Sequence, residues 1–512
     1  MGDFRPSVII IGSGMAGLSA GCYAQMNGFT SRIFEQNEYS GGVCTSWQKD
    51  RYTVNGCIHW LVGSSPTNSF HQVWQELGAI DGQSFMDHDR FFTFESKSGQ
   101  TLTLFTDVDC LEQHLLEIAP EDTKEIQNLI QAIQSIARCD YSPTLHEGFQ
   151  AWLENIRKAF THLPLFRVIM KWGLVSIRDY ADRLRSPVLK EALLHFWHPE
   201  MSMIILLMTL AFAHRRTAGY PLGGSSTWIQ RIADRYSDLG GSLHLNSRVS
   251  KILVKEQENE AYGIRLASGE EYYAEYIISA ADAHHTIYQI LEGNYQDERI
   301  TAPFEQLKLF PPILFVSFGV NCPFEDVPAS VVGLSFPLEQ VISVGEESVD
   351  RLTFQIYNFD PELAPAGKTV LTCMVGTEYD YWYDLYQHPA AYQAKKEEIL
   401  NQMIRALEQR FPSISGQIEM KDLATPMTYY RYSSNFRASY EGWLPTPRAL
   451  RTKIKHTLPG LSRFYQIGHW TEPGGGLPPS ALSGRKVIQK ICHRERLSFQ
   501  TSKPHDKEAL VI

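Results

Sequence analysis

The residues best suited to chemistry at the start of this 512-residue chain are glycines. In Gly12-Ser13-Gly14-Met15-Ala16-Gly17 the first glycine permits a tight turn and the second lets backbone reach a phosphate. The third allows a helix to sit close on a strand. Glu35 follows roughly 20 residues later, the distance at which an acid accepts ribose hydroxyls. Together they read as the cradle of a dinucleotide pyrophosphate. A second cluster, Gly468 followed by Pro473-Gly474-Gly475-Gly476-Leu477-Pro478, lets bare backbone approach something flat and bulky. One extended ligand spanning both clusters explains why segments so far apart share a design.

These glycines need elements to hold them. Val8-Ile9-Ile10-Ile11 is β-branched and apolar, as a strand buried on both faces is. Leu18 to Met26 is small, apolar and free of proline, hence helical, and its N-terminus turns free N–H groups and a positive dipole end toward the pyrophosphate. Ser31-Arg32-Ile33-Phe34 forms a second strand ending at Glu35. A glycine fingerprint alone is weak, because tight turns use glycine freely. The strand before it, the helix after it and the acid in place make it specific.

Gly41-Gly42-Val43 comes next, and Thr53-Val54-Asn55-Gly56-Cys57-Ile58-His59-Trp60-Leu61 reads as another apolar run. On these residues the sequence resembles the FAD-dependent phytoene desaturase, carotenoid isomerase and retinol saturase family. The resemblance continues at Tyr220-Pro221-Leu222-Gly223-Gly224, at Gly241 to Val249 and at Ala424-Thr425-Pro426, and returns strongly from Gly468 through Gly484. Between these landmarks the match is one of general character. The resemblance implies an α/β fold: an FAD-binding, Rossmann-like nucleotide domain of the glutathione reductase type, joined to a substrate domain of mixed sheet and helices. It implies FAD held by Gly12 through Gly17, by Glu35 and Gln36, by Gly42 and Val43, and by Ile58 and His59. Backbone at Val249 would meet the adenine, and Gly468, Gly475, Gly476, Leu477 and Pro478 the ring. It further implies desaturation, saturation or isomerisation of C–C double bonds in an apolar polyene. The chain departs from the family in three places. Val43 stands where many relatives are basic, Cys57 where they often have glycine, and His469-Trp470 where they have small residues.

A flavin carries the hydride, so the protein must move a proton and position the substrate. By motif position His59 and His469 lie beside the two flavin loops, and Glu472 lies close to the second. Histidine is the commonest proton carrier near neutral pH. These three are the catalytic candidates, each with a plain structural reading beside it. Tyr429-Tyr430-Arg431-Tyr432 suits stacking on a polyene, although a strand packed at the domain junction is the favoured expectation. Ser483-Gly484-Arg485 starts the last helix under the flavin.

Composition bounds the rest. Apolar residues make up 43%, and the net charge of −10 argues against a nucleic-acid partner. The cysteines are scattered without CxxC or zinc spacing and read as reduced thiols in a cytoplasmic setting; no metal site is expected. No secretory signal precedes the first strand. Met201 to Ala213, the most apolar run, falls short of the ~20 residues that span a bilayer. It reads as a buried helix, with the wall of an apolar tunnel as a compatible role. Ile156 to Trp172 mixes cations with large apolar residues, as a helix in a membrane interface does, and Pro164 divides it. Packing against its own protein is the favoured expectation there, with peripheral membrane contact as the alternative.

The expected organisation places FAD-binding parts at 1–65, 219–300 and 445–497. A mainly helical lid covers 66–218, a mixed-sheet substrate domain 301–444, and a disordered tail 498–512. The expected partners are an apolar small molecule and an electron donor or acceptor; no second nucleotide fingerprint for NAD(P)H is present. An amine oxidase-like enzyme and a non-catalytic lipid-binding protein of the same fold stay open as alternatives.

Overall fold

The structure, a computed structural model, describes residues 6–139 and 163–502. Its nucleotide layer is a five-stranded sheet in the order Ser242–His244, Thr30–Phe34, Ser7–Ile11, Tyr276–Ser279, Phe464–Gln466. Every pairing in it is parallel. The first strand is central and buried on both faces, as its unbroken β-branched run requires. Val8 and Ile10 face a core built with the helices Met15–Met26, Gly224–Asp238 and Leu477–Arg494. Ile9 and Ile11 face Val249, Ile252 and Ile264 of a small antiparallel sheet.

Small residues let these helices close up. A Cβ on Gly484 would lie 2.6 Å from the Ala16 carbonyl oxygen, so the last helix rests directly on the backbone of the first. That contact joins the two ends of the chain.

The substrate layer is a seven-stranded sheet in the order Ile418–Ala424, Ile313–Val320, Thr369–Gly376, Ser348–Ile356, Gly333–Ser343, Arg90–Glu95, Thr101–Phe105. All its joints are antiparallel except that between Gly333–Ser343 and Arg90–Glu95, so the sheet is mixed. Helix Pro389–Arg410 covers it through Ile399, Met403 and Leu407. The fold is therefore α/β, a doubly covered parallel nucleotide layer joined to a mixed-sheet substrate layer.

The structure adds to one expectation and corrects two. The stretch 66–218 supplies two strands to the substrate sheet, because Phe92, Phe94, Leu102 and Leu104 turn apolar side chains into its core. Tyr429 to Tyr432 lie on a helix, Pro426–Ser433, rather than a strand; Thr425 caps it in a capping box and Pro426 occupies its first turn. Of the expected tail, residues 498–502 are described and packed: Phe499 lies against Tyr23 and under the Arg485 guanidinium, and the Gln500 N–H donates to Asn27 at 2.7 Å, while 503–512 lie outside the described residues. In the cation-rich stretch, residues 156–162 lie outside those described. Pro164 falls in the first turn of helix Leu163–Trp172.

Candidate active site

A cavity of about 740 Å³ runs between the two layers. At one end it meets the first glycine cluster. Gly12 holds a left-handed φ of 94° beside the Ala280 backbone. Gly17 packs so tightly that a Cβ there would lie 2.0 Å from the Gly12 carbonyl oxygen. Gly14 caps helix Met15–Met26 with no side-chain hydrogen bond, so the first-turn N–H groups are left for a ligand. Gly12, Gly14, Met15 and Ala16 line the cavity. Ser13 and Gly17 support it from behind.

Glu35 lines this end and is buried. One carboxylate oxygen accepts the Ser13 N–H at 2.8 Å and the Ser13 hydroxyl at 3.0 Å. The other accepts the Asn37 N–H and side-chain amide. The acid thus ties the first glycine loop to the second strand. Gln36 also lines the cavity and donates to the Tyr432 carbonyl at 2.7 Å.

Next along the wall come Gly41, Gly42 and Val43. A Cβ on Gly42 would stand 3.5 Å from the Gly14 Cα, so two glycine loops face each other at backbone distance. Ile58 and His59 follow on a loop fixed by Asn55 and Ser225. The Ile58 N–H donates to the Ser225 hydroxyl at 2.8 Å, and the Asn55 amide donates to the Ile58 carbonyl at 2.7 Å. Val249 begins its strand at the opposite wall.

The far end is built by Gly468, His469, Gly474, Gly476, Leu477 and Pro478. The Gly468 N–H donates to the Ser483 hydroxyl at 2.9 Å. Gly475 lies behind this wall, where a Cβ would come within 2.4 Å of the Glu441 Cγ. Glu441 lines the cavity with its carboxyl turned to Gly476, and no cation pairs with it among the described residues. Removal from bulk water pushes it up to about 8. Asp282 also lines the cavity, just after the Ala280-Ala281 backbone beside Gly12; it accepts the N–H groups of His285 and Phe436, and burial pushes it up to about 7. His59 and His469 are each driven down to about 4 by burial. His59 Nδ1 and His469 Nε2 have no hydrogen-bond partner.

His59 and His469 thus come together with Glu441 around one space. Glu472 does not join them. It pairs with Lys486 at 3.2 Å and faces His456 at 3.9 Å, outside the cavity lining. Sequence reasoning missed Glu441 and Asp282. A signal existed for the first: one carboxylate inside Ser439-Tyr440-Glu441-Gly442-Trp443-Leu444, an otherwise uncharged, aromatic-rich run.

Beyond this end the walls turn apolar and aromatic: Trp60, Phe196, Trp197, Met201, Ile205 and Phe310. Helix Met203–His214 is mostly buried and also contributes Ile205 and Thr209 to the cavity wall.

Comparison with known proteins agrees with this geometry. The family described as flavin containing amine oxidoreductase matches residues 15–492. Prolycopene isomerase, chloroplastic, from Arabidopsis thaliana is 25% identical over 520 residues, covering 96% of this chain and 83% of that protein. The lycopene-forming phytoene desaturase of Pseudescherichia vulneris is 21% identical over 495 residues, covering 93% of this chain and 97% of that protein. Among solved structures, cyclohexylamine oxidase from Brevibacterium oxydans IH-35A superposes with a TM-score of 0.58 at 14% identity, covering 96% of this chain and all of the other.

The residues fit the dinucleotide this family carries. Bare backbone and an uncapped helix end await its phosphates, and orphaned imidazole nitrogens await the polar edge of its ring. The chain belongs to the flavin-containing amine oxidoreductase family, with FAD as its cofactor.

Proposed function

We propose that this protein is an FAD-dependent enzyme that desaturates, saturates or isomerises C–C double bonds of an apolar polyene such as a carotenoid or retinoid. The observation that carries this reading is the wall beyond the glycine loops, built of Trp60, Phe196, Trp197, Met201, Ile205 and Phe310. Glu441 and Asp282, both in the lining, are held toward their neutral forms by burial, which keeps the space suited to an apolar substrate. The resemblance to prolycopene isomerase and phytoene desaturase supports the same substrate class.

When bound, FAD supplies hydride uptake or delivery. The chain's residues supply the rest. Backbone at Gly12, Gly14 and Gly42 and the first turn of helix Met15–Met26 hold the phosphates, and Glu35 holds the ribose. Gly468, Gly476, Leu477 and Pro478 fix the ring. His59 and His469, neutral at physiological pH, orient it through their free nitrogens rather than acting as strong bases. Glu441 carries the proton, a carboxyl whose raised pKa sits near the working pH. The aromatic wall excludes water and lays the polyene alongside. Phe166, Met170 and Leu174 are exposed on and just after helix Leu163–Trp172, beside Arg167 and Lys171, and offer a peripheral contact through which a lipid arrives. No helix among the described residues is long and apolar enough to cross a membrane.

The test is to extract and weigh the lipids that co-purify with the protein, then mix oxidised and reduced enzyme anaerobically with polyenes and with amines. A polyene in the extract, and flavin spectral changes with polyenes alone, support the reading. Bleaching by amines with no response to polyenes overturns it.

A further inference from the structure

Two thiols in the cavity wall have no part in the chemistry above. Strands Ser46–Lys49 and Tyr52–Asn55 pair antiparallel, Lys49 opposite Tyr52 through Ser46 opposite Asn55. The ladder runs on past those strands: the Gly56 N–H donates to the Thr45 carbonyl at 3.0 Å. A hydrogen-bonded pair is followed by a non-hydrogen-bonded one, whose Cα atoms stand ~4.5 Å apart with side chains on one face. The same register continued brings Cys44 opposite Cys57. A disulfide needs Cα atoms about 4.4–6.8 Å apart, a range that this register, continued by one more pair, would meet.

The side chains agree with the register. The two thiols are near enough to shift one another, both residues line the cavity, and the Cys44 thiol donates to the Ser225 carbonyl at 3.9 Å. Two glycines hold the hairpin in this shape. A Cβ on Gly41 would lie 2.5 Å from the Cys44 carbonyl oxygen, and one on Gly56 would lie 2.9 Å from that of Thr45. Cys44 is buried and its thiol is pushed well above the ordinary range, first by the neighbouring Cys57 thiol and then by burial. Cys57 is more open, only partly buried in the cavity lining. Accessibility makes Cys57 the attacking thiol and Cys44 the resolving one.

We propose that Cys44 and Cys57 form a two-electron dithiol–disulfide centre in the wall of the cofactor cavity, oxidised by hydroperoxides. The Cys57 thiolate attacks one peroxide oxygen and the O–O bond breaks. Cys57 becomes a sulfenic acid, and the departing hydroxide takes up the thiol's proton as water. The Cys44 sulfur then attacks the Cys57 sulfur. The S–S bond forms, the S–O bond breaks, and hydroxide leaves with the Cys44 proton as a second water. The two thiols lose two electrons and two protons, and hydrogen peroxide is reduced to two waters. A dithiol reductant reverses the change. This centre rests on the hairpin and the cavity and is independent of the polyene reading.

The experiment treats full-length, FAD-loaded protein with hydrogen peroxide, alkylates the remaining thiols and maps peptides by mass spectrometry. The expected result is a Cys44–Cys57-linked peptide that dithiothreitol abolishes and that forms at least about tenfold faster in folded than in urea-unfolded protein. In Cys44→Ser, Cys57 should accumulate as a dimedone-reactive sulfenic acid; Cys57→Ser should give neither product. Cys57 passing directly to sulfinic acid in the wild type, with no linked peptide, overturns the proposal. So does a linked peptide that forms equally fast in urea.

Discussion

The two ends of the cavity are built on opposite plans. The phosphate end is backbone: Gly12, Gly14, Gly42 and an uncapped helix terminus, with the Glu35 carboxylate already holding Ser13 and Asn37. The ring end is side chain: His59, His469 and Glu441, all shifted by burial toward their uncharged forms. A phosphate needs N–H donors and a dipole, which short loops of glycine supply. A hydride acceptor and an apolar substrate need a dry space, and only packing of distant segments encloses one. Binding and chemistry are therefore separable here by mutation.

The largest effect should come from breaking the phosphate end. Gly17→Val places a side chain where even a Cβ would lie 2.0 Å from the Gly12 carbonyl oxygen. Its purified form should be colourless, or fail to accumulate, by visible absorption and expression yield. Gly14→Val probes the same end with milder crowding and should lose flavin while keeping its far-ultraviolet dichroism.

Glu441→Gln attacks the other end. It should keep the flavin and lose activity by about 10²–10³-fold, the usual contribution of one positioned proton carrier. Its stability should move the opposite way. A carboxyl held up to about 8 binds more protons folded than unfolded, so the wild type loses stability as pH rises from the ordinary carboxylate range to about 8. The glutamine variant escapes that loss, by on the order of 2–4 kcal/mol at the alkaline side in denaturant titrations.

The histidines sharpen the contrast through acid. Both are held down to about 4, so the folded state binds fewer protons than the unfolded chain between about 4 and 6.5. The stability they allow is complete above the unfolded value and declines as pH falls through that window. His469→Asn should flatten the decline in a thermal-melt series against pH. His59→Ala should slow flavin reduction with flavin still bound.

The phosphate end was legible in the sequence because its geometry is local: one strand, one turn and one helix fix Gly12 through Gly17, and Glu35 follows at the next strand end. Glu441 was not, since nothing near it in the chain says that Gly475 and Gly476 will close over it. Glu472 showed the reverse. Proximity to the second glycine cluster suggested chemistry, but the turn carries its side chain to Lys486. Two missed elements did leave local marks. Phe92-Thr93-Phe94 and Leu102-Thr103-Leu104 alternate as strands do, and Thr425-Pro426 opens a helix with Thr428 closing its capping box.

The smallest effect is expected at Glu472. Its ion pair with Lys486 is part-exposed, so Glu472→Gln should shift stability by no more than about 1 kcal/mol. Its turnover should stay near wild type; a loss like that of Glu441→Gln would return Glu472 to the site.

The central claim is that one FAD is gripped by the first and last glycine clusters together. The visible spectrum of the purified, refolding-competent protein titrated with FAD tests it most directly. Stoichiometric yellow protein, with flavin lost in Gly14→Val and retained in Glu441→Gln, is the predicted result. A fully folded, colourless protein that takes up no added FAD would contradict it.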